Sequence, residues 1–92
     1  MRKFEVLLSA VAVKELRLLS EGEARGIKEK MGALAEDPCK PRPKADIKKL
    51  AGTKPEFYRL RVGEYRIIYC VQENKVKVTE IMRRSRGYGW LE

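Results

Sequence analysis

Phe57–Val71 (FYRLRVGEYRIIYCV) carries Arg59, Arg61 and Arg66 at spacings that let them act together. Two runs rich in aromatic and β-branched residues flank Gly63-Glu64, and a two-residue loop with Gly first suits a type II′ hairpin turn. Pairing outward from that turn sets Val62 opposite Tyr65, Arg61 opposite Arg66, Leu60 opposite Ile67, Arg59 opposite Ile68 and Tyr58 opposite Tyr69. Side chains alternate between the faces of a strand, so the three arginines share one face. Tyr58, Leu60, Val62, Tyr65, Ile67 and Tyr69 share the other, an apolar one. Like charges set opposite each other on a sheet are unfavourable by up to about 1 kcal/mol. A polyanion relieves that well, because the guanidinium fork matches phosphate. The competing reading is a solvated outer face, where charge on an antiparallel sheet is ordinary.

Other features of the chain narrow the chemistry. There is no histidine, which removes Ser-His-Asp, Cys-His and Glu-His catalysis and leaves a zinc site short of ligands. Cys39 and Cys70 form no CxxC and cannot define a disulfide framework, so both read as reduced thiols. No metal and no cofactor is expected. The net charge of +8 is unevenly placed: residues 1–39 carry seven Lys+Arg against seven Asp+Glu, and residues 40–92 carry fourteen against six. A neutral front and a basic back suggest a surface that faces nucleic acid. A membrane surface fits less well, since the basic half reads as strands. No apolar run approaches the ~20 residues that cross a bilayer. Met1-Arg2-Lys3 leads into an amphipathic strand and not a secretory signal, so the expected location is the cytoplasm.

Several elements position these residues. Lys3–Leu8 reads as a first strand. Ser9 is a plausible N-cap for a helix whose Ala12, Leu16 and Leu19 fall on one face. Ser20-Glu21-Gly22-Glu23 is a capping box, and Ala24, Ile27, Met31 and Leu34 form the stripe of a second helix. Residues Glu36–Asp46 form a proline-rich loop, read equally as a stiff connector or a partner contact. A short strand at Ile47–Leu50, the hairpin, and an alternating strand at Lys75–Met82 follow, with Val76 and Val78 joining the apolar face opposite Val71 and Tyr69. The tail, Arg83-Arg84-Ser85-Arg86-Gly87-Tyr88-Gly89-Trp90, interleaves cations with aromatics. The expected architecture is one α+β domain over residues 1–92, ordered β-α-α-β-β-β-β. A helical hairpin covers one face of a largely antiparallel sheet and leaves the arginine face open.

That order of elements, with KLAG, YRLRVGEYRIIY and a closing basic-plus-tyrosine tail, resembles the RelE/ParE toxin superfamily, and archaeal RelE-type toxins above all. The resemblance spans nearly the whole chain and predicts a RelE-like fold. It implies the toxin of a type II toxin–antitoxin pair, a ribosome-dependent endoribonuclease acting on mRNA in the A site, held by a RelB-type antitoxin. ParE-type members share the fold and poison DNA gyrase, so a gyrase inhibitor is the alternative, beside a non-cleaving RNA-binding homologue. By position, Arg59 and Arg61 fall where bacterial RelE proteins carry active-site lysines, and Arg66 on their hairpin arginine. Arg84 and Tyr88 fall on the arginine after the last strand and the tyrosine near the C-terminus. Where the family often has Gly-His-Arg, this chain has Met82-Arg83-Arg84. Arginine stays charged, so Arg59 and Arg61 suit phosphate clamping better than proton transfer.

RNA is cut without metal when a 2′-OH attacks the adjacent phosphate, giving a 2′,3′-cyclic phosphate and a free 5′-OH. Preorganised guanidiniums favour the extra charge of the phosphorane, which assigns Arg61, Arg66 and Arg84 to catalysis. Tyr88 is the candidate base, its phenol made more acidic by Arg84 and Arg86 nearby. It reads equally as an aromatic that packs on the sheet or stacks on a base. Arg59, Lys48, Lys49, Arg83 and Arg86 are expected to bind the RNA backbone; Phe57 and Trp90 are candidates to stack on nucleotides, with cover of the sheet edge as the other reading of Trp90.

Overall fold

The structure is a computed structural model that describes residues 4–50 and 56–83. Its front half forms around two capped helices. Strand β1 (Glu5–Leu8) runs into α1 (Ala10–Arg17) through Ser9. The Ser9 hydroxyl accepts from the Ala12 N–H at 3.0 Å and donates to the Thr79 carbonyl at 2.7 Å, so the cap also ties the helix to the far end of the chain. Helix α2 (Glu21–Met31) opens on the expected capping box, with Ser20 and Glu23 each accepting the other's backbone N–H at 3.2 Å. Its last turn tightens into a 3₁₀ segment, Gly32–Ala35.

Strands β2 (Asp46–Lys49), β3 (Phe57–Val62), β4 (Tyr65–Gln72) and β5 (Lys75–Arg83) complete a five-stranded sheet in the order β1-β5-β4-β3-β2. Only β1 runs parallel to its neighbour, β5, so the sheet is mixed and largely antiparallel. All five expected hairpin pairs are present. Gly63 takes φ +56° while Glu64 stays out of the left-handed region, as a type II′ turn requires. Strand β2 starts at Asp46, one residue earlier than the sequence suggests. That shift draws Asp46 out of the proline-rich loop and into the sheet, opposite Arg61.

The core lies between the helices and the apolar sheet face. Ala12 and Leu16 of α1, Ile27 and Met31 of α2, and Leu34 pack against Leu60, Ile67, Tyr69, Val76, Val78 and Ile81. Each aliphatic side chain fully buried here contributes about 1.5–3 kcal/mol. Strict alternation along β5 would aim Glu80 into this core after Val76 and Val78. A β-bulge prevents it. Tyr69 faces Val78 but Ile68 faces Glu80, which leaves Thr79 as the extra residue. The Thr79 hydroxyl donates to the Ile68 carbonyl at 3.2 Å. Beyond the bulge Ile81 faces Ile67, and Glu80 and Met82 move to the arginine side. No helix among the described residues is long and apolar enough to cross a membrane.

Candidate functional site

Two cross-strand rows organise the sheet face away from the helices. One runs Asp46, Arg61, Arg66, Met82 across β2, β3, β4 and β5, and the next runs Lys48, Arg59, Ile68, Glu80. Residues directly opposite each other share a face. Arg59, Arg61 and Arg66 therefore gather on one side, as the alternation predicts, and the β2 register adds Lys48 to them. Two carboxylates, Asp46 and Glu80, share that side with them.

The expectation that this face stands open is corrected. Arg59 is 6% exposed and Arg66 is 2% exposed, whereas Arg61 and Lys48 face solvent. Leu50, Ile68 and Met82 form a second apolar cluster here, with Phe57 packed against it. An arginine stem packs readily along apolar neighbours, and its head then needs oxygen partners inside the protein. The Arg66 Nη1 donates to the carbonyls of Tyr65 at 3.2 Å and Gly63 at 3.3 Å, beside the hairpin turn. The Arg59 Nη1 lies 3.5 Å from both the Asp46 carbonyl and the Asp46 carboxylate. The Arg59 Nε is buried with no acceptor among the described residues. The cluster is thus preorganised, with one guanidinium incompletely satisfied.

Two expected RNA-binding cations stand elsewhere. Lys49 pairs with Tyr58 across the strands, on the helix side, and its Nζ bonds the Glu56 carboxylate at 2.8 Å. Arg83 faces Tyr65, also on the helix side. Its Nη2 donates to the Tyr65 hydroxyl at 3.2 Å, that hydroxyl donates to Glu23 at 3.0 Å, and the guanidinium lies 5.6 Å from the Tyr65 ring centroid. Glu23, Tyr65 and Arg83 therefore tie the end of β5 to the start of α2. Hydrogen bonds from Ser20 hold the Glu23 carboxyl below its ordinary value of 4.5, with the Tyr65 hydroxyl and Arg83 adding to the effect. A depressed folded-state pKa gives stabilisation that is complete above the ordinary value and is lost as pH falls through the folded one. Wild type is expected to melt above Glu23→Gln at neutral pH by a small margin, since the group is exposed. That margin closes in acid, and a melting series that leaves it constant with pH would remove Glu23 from the linkage.

The proline-rich loop uses its own arginine as a strut. The Arg42 Nη1 donates to the carbonyls of Lys40 at 2.7 Å and Asp37 at 3.0 Å, and its Nη2 to that of Ala33 at 2.8 Å. Beneath it the Tyr69 hydroxyl donates to the Pro38 carbonyl at 2.6 Å, and the Tyr58 and Tyr69 rings stack 5.6 Å apart. Contact with the Cys39 side chain, then burial, pushes the Tyr58 phenol up to about 12. Burial, with Cys39 next, pushes Tyr69 higher still. Neither is poised to take a proton near neutrality.

Arg84, Arg86, Tyr88 and Trp90, all expected at the site, lie outside the described residues. Sequence reasoning missed Asp46, Glu80 and Glu23. The β2 register and the Thr79 bulge place the first two, and neither carries a local turn signal as clear as Gly63-Glu64. Glu23 was read only as a cap, and its second contact spans 42 residues of chain.

Comparison with known proteins agrees with this architecture. The family described as "ParE toxin of type II toxin-antitoxin system, parDE" matches residues 6–88. The RelE1 protein of Methanocaldococcus jannaschii is 33% identical over 88 residues, covering 94% of this chain and 96% of that protein. Among solved structures, the archaeal RelE–RelB complex from Pyrococcus horikoshii contains a chain that superposes with a TM-score of 0.78 at 33% identity, over 92% of this chain and 99% of that one. The RelB–RelE complex from Methanococcus jannaschii gives 0.73 at 26% identity, over 94% and 99%.

Proposed function

Because this chain belongs to the ParE/RelE toxin family of type II toxin–antitoxin systems, we propose that it is a ribosome-dependent endoribonuclease that cuts messenger RNA in the A site without a metal. The observation that carries this reading is the gathering of Arg59, Arg61, Arg66 and Lys48 on one sheet face. Four cations concentrated there suit a ribose–phosphate chain, whereas a protein–protein poison has no need of a phosphate cage.

In the proposed reaction the 2′-oxygen attacks the adjacent phosphorus as a base removes its proton. The bond to the 5′-oxygen breaks, and an acid returns a proton to that oxygen. The products are a 2′,3′-cyclic phosphate and a 5′-hydroxyl. Arg66, held by burial and by two carbonyls, supplies a fixed positive charge behind Arg61 as charge builds on the phosphorane. Arg61, the exposed member, meets the incoming chain first. Arg84 and Tyr88 enter the proposal by sequence position, as a second cation and the base, and Arg86 as a neighbour that lowers the phenol's pKa. Holding the 2′-OH in line contributes as well, and the ribosome supplies that pose.

The relatives from Pyrococcus and Methanococcus are each solved with RelB, and we infer a RelB-type antitoxin as partner here, in a heteromeric complex in the cytoplasm. The family's printed ParE description keeps a gyrase inhibitor as the second reading. Induction of the chain in cells, with mapping of messenger ends and of DNA breaks, separates the two. Cuts within translated codons are expected; DNA breaks with intact messengers would overturn the nuclease reading in favour of the other.

A further inference from the structure

Asp46 stands opposite Arg61 and reaches diagonally to Arg59, a carboxylate set among cations on the side assigned to RNA. Its hold on Arg59 is incomplete in three respects. Both contacts measure 3.5 Å, well beyond the ~2.7–2.9 Å of a tight charge-assisted bond. The carboxylate engages Nη1 alone, although a guanidinium edge such as Nη1 with Nη2 is built to give two parallel bonds to one oxyanion. The Asp46 side chain is 58% exposed and the Arg59 side chain 7% exposed, so the carboxylate approaches a buried cation from the solvent side. Displacing the carboxylate sheds little buried contact from Asp46 and frees the Nη1 donor that it holds.

We propose that Asp46 is an internal stand-in for the phosphodiester, occupying Arg59 in the free protein and giving way when a ribose–phosphate chain binds. The inference rests on reading this face as an RNA surface, and is independent of whether bound RNA is cut. The exchange replaces one loose contact on Nη1 with two parallel bonds from Nη1 and Nη2 to the oxygens of one phosphate. It also gives the surface a threshold: a single anion must displace Asp46 unaided, whereas a chain already held by Arg61 and Lys48 brings its next phosphate to Arg59 at high local concentration. Isolated anions are therefore held weakly and extended RNA strongly.

The test is binding of a short single-stranded 2′-O-methyl oligoribonucleotide, which lacks the attacking hydroxyl, measured by fluorescence anisotropy at fixed low salt. Asp46→Asn is expected to tighten binding about tenfold. Glu64→Gln removes the same charge from the exposed hairpin turn and is expected to change affinity by less than about twofold. In an Arg59→Gln background the Asp46→Asn gain disappears. Equal gains from Asp46→Asn and Glu64→Gln, or a gain that survives the loss of Arg59, would overturn the proposal. The Glu64 comparison decides the matter even where Arg59→Gln fails to fold. An oligonucleotide bound by no variant overturns both this inference and the RNA-surface reading. Intact messengers in cells combined with a selective Asp46→Asn gain would sink cleavage alone.

Discussion

An Arg66→Met protein is expected to fold and to cut messenger RNA about a hundredfold more slowly than wild type, the effect of losing one preorganised donor worth on the order of 3 kcal/mol in the transition state. Methionine is the informative replacement because Arg66 is almost fully buried. Alanine would remove the charge and open a cavity together, and a loss of activity could then reflect unfolding. Methionine keeps most of the aliphatic stem and so opens little cavity, and its cost is the acceptors left without the Arg66 donor. The Gly63 carbonyl lies at an exposed turn, where water replaces the lost donor, whereas the buried Tyr65 carbonyl loses one acceptor contact, at about 1–3 kcal/mol. The two readouts are the melting temperature and the rate of messenger cutting in a reconstituted translation system. A folded Arg66→Met protein with full activity would remove this guanidinium from the mechanism.

Leu60→Ala is expected to act through the fold. Leu60 is fully buried in β3, opposite Ile47 of β2 and Ile67 of β4, under the helices. Truncating a leucine at such a site costs about 2–5 kcal/mol through lost transfer energy and the cavity left behind. Small domains have only about 5–15 kcal/mol in all, so this single change removes a large share. The denaturant midpoint falls while the slope of the transition stays unchanged, because the same surface is exposed on unfolding. Toxicity in cells falls with it, since less folded protein survives, and returns in part at lower growth temperature. A midpoint near that of wild type would contradict the place of Leu60 in the core. Together the two variants separate the faces of one strand pair: Arg66→Met loses chemistry with the fold kept, and Leu60→Ala loses the fold.

The arrangement of Arg59 and Asp46 bears on how such a cluster persists without RNA. Three guanidiniums and a lysine on one face repel one another, and burial of two of them sharpens the cost. Backbone carbonyls satisfy much of Arg66, and Asp46 answers Arg59 and stands opposite Arg61. This face thus carries its own counter-charge before any ligand arrives, which ties its stability to its binding.

How much of this was legible in the sequence follows from how far apart the determining residues lie. Gly63-Glu64 and its flanking residues were enough to place all five hairpin pairs, because a two-residue loop sets the register of everything paired outward from it. Ser9, and Ser20 with Glu23, marked both helix starts through contacts three residues long. The gathering of Arg59, Arg61 and Arg66 on one side followed from the same short-range periodicity. Tertiary structure alone decided whether that side was open. Burial of Arg66 and Arg59 depends on Leu50, Ile68 and Met82 meeting across β4, β5 and the residue that follows β2. The capping of Arg59 depends on the register of β2, set through a connection whose Gly52 and Pro55 mark a turn but fix no two-residue loop, and the place of Glu80 on a bulge bonded to a residue eleven positions away. Alternation is a property of neighbouring peptides and can be read from the chain. Exposure and charge pairing are properties of contacts between distant segments, which come into being only when the sheet closes.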